Sequence, residues 1–405
     1  MFRSHVCVAA LVLAAGLSAC NGADSPDAAP AAAVPAAAAP DLEAIAVSLV
    51  NQAAAVKPGE NVVVLGGIRD FELLENIVTN VSKAGGNPLL LVQSERIARR
   101  YYDEVDAKYD TLPPAFGYAA AEVADVMISV EMSETPDLLA HVPPERITAH
   151  NAVENRSFER LRERGARFIE VGNDMYPTHA RAARFGLSRD QLAGFFWGAL
   201  QSSPDSIRAN AAALEALLKT AREVHVTDPH GTDLRIRLGS RPVFISDGAI
   251  TEEDLRRGER FVYLPAGEVF TRPVHEGTNG VLVADRQPYE GKSIEDFRLR
   301  IENGKIVEMS ARAGIEGFRA MHEAQGEGRD LMSAIDFGVN PGLKATASAQ
   351  LRTWVPEGTV TVAFGNDIWV GGDNDLPYGL SVSIPDATVR IDGRVVIENG
   401  ALKTP

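Results

Sequence analysis

The chain has 405 residues, with 55 acidic against 40 basic side chains and a formal net charge of −15. That excess argues against nucleic acid or an anionic membrane surface as a partner, because phosphate-rich surfaces repel a strongly acidic protein. Both cysteines, Cys7 and Cys20, lie near the N-terminus, so a folded domain beyond them has neither a disulfide nor a cysteine metal site.

Arg3 precedes an apolar run from Val6 to Leu17. The run is too short to span a bilayer as a mature helix and has the length of a secretory signal core. It closes with Leu17, Ser18, Ala19 and Cys20, which resembles the lipobox of bacterial lipoproteins and implies cleavage before Cys20 and lipid on its sulfur. Several acyl chains on one cysteine would make a stable membrane anchor, at roughly 0.8 kcal/mol per buried methylene. Asn21 resembles the outer-membrane sorting pattern. The expectation is a bacterial outer membrane lipoprotein whose domain faces the periplasm. From Ala23 to Pro40 the chain is mostly Ala and Pro, the composition of an extended tether. The remaining ~365 residues exceed what one core usually supports, so two domains are expected.

Beyond the tether, Asp41 can cap a helix whose apolar positions Leu42, Ile45, Leu49, Ala53 and Val56 fall at helical spacing. A Val-rich strand from Asn61 to Leu65, an amphipathic helix through Phe71, Leu74, Ile77 and Val81, and a strand from Pro88 to Val92 make a β-α-β unit. Gly66-Gly67 lacks the spaced third glycine of a dinucleotide fingerprint, though the turn could cradle a phosphate. Two more continuous apolar runs, Val126–Val130 and Arg167–Val171, read as strands covered on both faces, hence a doubly wound, mostly parallel sheet. The clearest helix runs from Pro204 to about Thr220, with Ser203 at its cap. After it the pattern becomes short alternating strands, and Asn303-Gly304 and Asp392-Gly393 signal two hairpins. The second half therefore reads as α+β with a mixed or antiparallel sheet. The expected divisions are a signal at 1–19, lipidated Cys20 and tether at 20–40, an α/β domain at 41–222 and an α+β domain at 223–405.

The stretch Tyr263 to Gly280, YLPAGEVFTRPVHEGTNG, gathers Glu268, His275 and Glu276 among prolines and glycines, as a loop-rich cleft lined by metal ligands or proton carriers would. His322-Glu323, on the helical run Gly317 to Gly326, reads as a solvated face, and His225 and His230 as capping or surface residues. Tyr378 is a candidate donor to a developing oxyanion. No GxSxG elbow or Walker loop is present.

PAGE at Pro265–Glu268, VHVTDPHGTDLRIRL at Val224–Leu238, IDFGVNPG at Ile335–Gly342 and GTVTVAFGN at Gly358–Asn366, followed by Gly371-Gly372, together resemble the aminopeptidase T (aminopeptidase II) family of metallopeptidases. The resemblance implies an N-terminal α/β domain, a C-terminal domain holding two divalent metal ions, and a homodimer that closes the site. It implies removal of N-terminal residues from peptides with zinc, cobalt or manganese. Such ions, about 3.5 to 4 Å apart, polarise the carbonyl and activate a bridging water. Residue by residue, Glu268 matches the first glutamate ligand and Asp336 stands at the second. Thr361 stands where the family has a histidine, and Gly379 and Ser381 where it has a His-x-Asp pair. A rebuilt mononuclear site would draw on Glu268, His275 and an Asp such as Asp375. Two functions stay open: a metal-dependent aminopeptidase with Glu268, His275 or Tyr378 in catalysis, or a metal-free binding protein for a small peptide or amino-acid-like molecule.

Overall fold

The computed structural model describes residues 39–289, 292–345 and 350–403; the signal run, Cys20 and most of the tether lie outside them. The first helix, Leu42–Ser48, starts where expected: the Asp41 carboxylate accepts from the Ala44 N–H at 2.9 Å. Strands β1 (Asn61–Gly67), β2 (Asn87–Gln93), β3 (Val126–Val130) and β4 (Arg167–Val171) pair in parallel. Gly66 lies inside β1 rather than in a phosphate-cradling turn. A Cβ there would sit 2.6 Å from Leu74 Cδ2, so glycine lets helix Phe71–Lys83 close onto the sheet.

Helix Pro204–Leu218 is capped by the Ser203 hydroxyl, which accepts from the Ser206 N–H, and buries Ile207, Ala211, Leu214 and Leu218. Next come β5 (Glu223–Thr227), β6 (Asp233–Arg237) and β7 (Val243–Ser246). The chain then returns to the parallel sheet with β8 (Phe261–Leu264), giving the order β2-β1-β3-β4-β8. One strand from beyond residue 222 thus completes the first sheet.

The rest is mainly antiparallel. β9 (Glu268–Thr271), β10 (Val274–Tyr289), β11 (Lys292–Glu302), β12 (Lys305–Ser310) and β13 (Met332–Gly338) follow, then β14 (Asn340–Lys344), β15 (Pro356–Glu357) and β16 (Val360–Gly365). β17 (Gly379–Ile384), β18 (Thr388–Ile391), β19 (Arg394–Glu398) and β20 (Ala401–Leu402) end the chain. With β5, β6 and β7 they form an eight-stranded sheet, β12-β11-β10-β6-β5-β18-β19-β20, a five-stranded sheet, β17-β16-β13-β9-β7, and a parallel pair, β14-β15. Both hairpins fall at the expected dipeptides, with positive φ at Asn303, Gly304, Asp392 and Gly393. One apolar core runs through all three large sheets.

The run from Tyr263 to Gly280 is mostly strand rather than loop, spanning the end of β8, all of β9 and the start of β10. Gly267 makes this fit. At φ 135° its backbone approaches β14 so closely that a Cβ would lie 2.5 Å from Asn340 Cβ. Gly267 O also accepts from the Val339 N–H at 2.9 Å. The next residue, Glu268, is thereby fixed at the first position of β9.

Candidate functional site

Alternation divides the five-stranded sheet into two faces. Val269, Thr271, Ile335, Phe337, Val362 and Phe364 are buried on one of them. The other carries Phe244, Ser246, Glu268, Phe270, Asp336, Thr361 and Ser383. Asp336 stands opposite Phe270 on one side and Thr361 on the other, Thr361 opposite Ser383, and Glu268 opposite Gly338 and Ser246.

Glu268 and Asp336, the two carboxylates that the resemblance marks, are brought together. Their carboxyl groups lie beside each other, and the repulsion between two carboxylates favours one proton held on the pair. Burial pushes Glu268 up to about 7, while hydrogen bonds from the Trp354 indole and Asp336 pull the other way. Asp336 is held well above the usual carboxylate range, by burial first and by the Glu268 charge second. Two adjacent carboxyls, one of them buried, cannot both ionise cheaply. Asp336 is 6% exposed, and its Oδ1 has no hydrogen-bond partner. Beside them the Thr361 and Ser383 hydroxyls bond each other at 2.9 Å and are almost fully buried.

The remaining sequence candidates lie elsewhere. His275, on β10, donates from Nε2 to the Met332 carbonyl at 2.8 Å. Met332 and Gly338 are the two ends of β13, and Glu268 pairs with Gly338, so roughly 20 Å of strand separates His275 from Glu268. Asp375 is exposed on the loop after Gly365, at the Met332 end of the sheet. Within that loop Asp367 is buried against Arg272 at 2.8 Å and accepts from the Asn374 N–H at 2.7 Å, a structural role. The expected grouping of Glu268, His275 and Asp375 does not form.

Tyr378 is committed to another partner. Its hydroxyl lies 2.7 Å from His322 Nδ1, and His322 Nε2 lies 2.9 Å from Asp330 Oδ1. With the carboxylate fixing a proton on Nε2, Nδ1 accepts from the tyrosine. Burial pushes the Tyr378 hydroxyl above its ordinary value, so it stays protonated. His322, expected on a solvated face, is 4% exposed and stacks on Phe318. His225 and His230 pair with Asp233 and Asp386 at partly exposed positions.

The donor set can be tested against the implied metals. Two carboxyls and two hydroxyls face one another, with no imidazole among them. Hydroxyls are weak ligands for zinc or cobalt, and two ions need more carboxylate or histidine donors than this. Among the described residues no cluster of three or more His, Cys, Asp or Glu could hold an ion. The residues present do not fit a dinuclear centre.

Sequence reasoning missed the Thr361–Ser383 pair, because strand register is set by partners distant in the chain. It also missed an aromatic row. Phe244 stacks on Phe270 with centroids 5.4 Å apart, and Phe270 meets Trp369 at 5.1 Å. The available signal was Phe270 two residues after Glu268, on the same strand face.

A family model described as thermophilic metalloprotease (M29) matches residues 38–331, a span that includes Glu268 and ends before Asp336. Aminopeptidase AmpS of Bacillus subtilis is 26% identical over 285 residues, covering 64% of this chain and 67% of its own length. Wild-type AmpT from Thermus thermophilus is similar in structure with a TM-score of 0.62 at 18% identity, over 90% of this chain and 99% of that one. The 2,5-dihydroxypyridine dioxygenase from Pseudomonas putida KT2440 gives 0.57 at 16% identity, over 90% and 97%. One architecture thus carries proteins named for unrelated chemistries, so the fold alone does not select an activity.

Proposed function

Because the chain belongs to the thermophilic metalloprotease family M29, we propose that it uses an aminopeptidase-like architecture to bind the free amino end of a peptide or amino-acid-like molecule, without two-metal hydrolysis. The observation that carries this reading is the Glu268–Asp336 pair: adjacent carboxyls, with Asp336 buried, its Oδ1 unmatched, and hydroxyls rather than imidazoles beside it. A primary ammonium offers three donors and one positive charge. It can satisfy Asp336 Oδ1, bond Glu268 and replace the shared proton, so that two ionised carboxyls face a cation instead of each other. The net charge of −15 favours the approach of a cationic group.

Family membership and the likeness to aminopeptidase AmpS favour a second reading, a hydrolase with a divalent metal on the two carboxylates. Metal content by mass spectrometry, together with hydrolysis of aminoacyl chromogenic amides, separates the two. The assays are run with and without chelator and with added zinc, cobalt or manganese. The expected result is sub-stoichiometric metal and no chelator-sensitive turnover. Tightly held ions with chelator-sensitive turnover would overturn the binding reading.

The same proposal places the protein as an outer membrane lipoprotein, anchored by lipid on Cys20, with an Ala/Pro tether at 20–40 and domains at 41–222 and 223–405 assembled as a homodimer. Replacing Cys20 by Ser is expected to move the protein from the membrane to the soluble fraction; membrane retention in that variant would count against the anchor.

A further inference from the structure

Helix Pro204–Leu218 and the last two strands do not close on each other completely. Between them lies a cavity of about 110 Å³, whereas protein interiors ordinarily leave few voids larger than a water molecule. Ala213, Leu214 and Leu217 line it from the helix, and Val396 and Leu402 from β19 and β20. None of these residues belongs to the five-stranded sheet that carries Glu268 and Asp336. The walls are aliphatic, and Ala213 leaves room because its side chain stops at Cβ. An aliphatic cavity of ~150 Å³ holds a benzene ring, so this one takes about four or five carbons, the size of an isobutyl group.

The mouth of the cavity is cationic. Arg394 and Lys403, both exposed, stand there. Among the described residues the Arg394 guanidinium has no hydrogen bond or ion pair. Lys403 meets Glu398 at 2.8 Å with both side chains about half exposed, and so exposed a pair is too weak to keep Lys403 from another anion. Asn210 also lines the cavity. Its Nδ2 donates to Val339 O at 3.1 Å and to Glu357 Oε2 at 2.8 Å, which fixes the amide and leaves Oδ1 without a donor among the described residues.

We propose that this cavity binds a small apolar carboxylate, with an aliphatic chain of about five carbons inside and the carboxylate on Arg394 and Lys403. A guanidinium takes a carboxylate through two parallel hydrogen bonds. A free short-chain acid offers this chemistry, and so does a C-terminal leucine of a peptide, which adds an N–H for Asn210 Oδ1. The net charge of −15 repels anions at long range, so binding depends on contact with these two cations.

The test titrates the purified protein with 4-methylpentanoate, its uncharged amide 4-methylpentanamide, and N-acetyl-L-leucine. Calorimetry and saturation-transfer NMR are the readouts. None of the three carries an amine, so the result is independent of amine binding at the Glu268–Asp336 pair. The carboxylate is expected to bind about tenfold tighter than the amide, and Arg394→Gln, at an exposed position, to remove that advantage without changing the thermal melt. Ala213→Leu fills the cavity from a helical position and is expected to abolish binding of all three. N-acetyl-L-leucine binding tighter than 4-methylpentanoate assigns the site to a peptide C-terminus; otherwise the free acid is the ligand. Equal binding of carboxylate and amide, binding retained in Ala213→Leu, a preference for carboxylate unchanged in Arg394→Gln, or no binding at millimolar concentration would each overturn the proposal.

Discussion

Asp336 and Asn340 stand four positions apart in the chain, both almost inaccessible, and their surroundings treat them in opposite ways. The Asn340 amide donates to Ala199 O at 3.0 Å and Ala266 O at 2.6 Å. Its oxygen accepts from the Ser202 hydroxyl at 2.8 Å and the Gly342 N–H at 2.9 Å. Every polar valence is matched, and the residue ties the end of helix Arg189–Leu200 to the segment before β9 and to β14. Asp336 faces a second carboxyl and leaves one oxygen unmatched. Tyr378, His322 and Asp330 resemble Asn340 in this respect, each hydrogen-bonded in a closed chain. Closed polar clusters hold a shape, whereas a buried carboxyl with an unmatched oxygen costs stability unless a group from outside meets it.

Variants on either side of that contrast differ in size and sign. Asn340→Ala strands two carbonyls and a hydroxyl, and is expected to cost about 3 kcal/mol of unfolding free energy, read from denaturant melts. A loss under ~1 kcal/mol would mean that water replaces the amide. Glu268→Gln acts in the other direction. Burial raises the Glu268 carboxyl from 4.5 to about 7, so the folded state holds a proton that the unfolded chain releases. The stability this contributes is complete below pH 4.5 and is lost as pH rises through about 7. Glutamine does not titrate. The variant is therefore expected to gain on the wild type between pH 5 and pH 8 in thermal melts, and parallel profiles would place the pair in water. Asp375→Asn, on an exposed loop residue, is expected to leave both stability and amine binding within error. A marked loss of binding there would return Asp375 to the site.

Much of the scaffold was legible because it is local. Continuous apolar runs gave β1, β3 and β4, the Ser203-Pro204 start gave its helix, and Asn-Gly and Asp-Gly gave both hairpins. Glu268 and Asp336 were legible through the resemblance and do meet. What stayed hidden depends on register and on distant partners. Prolines and glycines made Tyr263–Gly280 read as loop, although Gly267 is there to let β9 pass close to Asn340. Helical spacing cannot reveal that His322 meets Tyr378 across 56 residues. Equally, three ligand-type residues within nine positions implied one cleft, while strand geometry carries His275 away from Glu268.

Strand β8 has a consequence for how the chain can be cut. It is the last strand of the parallel sheet, yet it is synthesised after β5, β6 and β7 have already begun the other sheets. A fragment ending at residue 222 would present the backbone of β4 as a bare edge, a template for pairing with other chains. A fragment starting at 223 would carry β8 with nothing to pair it. The halves are interleaved through four residues, Phe261 to Leu264, and those residues lead within a few positions to Glu268. The Glu268–Asp336 pair is thus built onto the seam that holds the two sheets together.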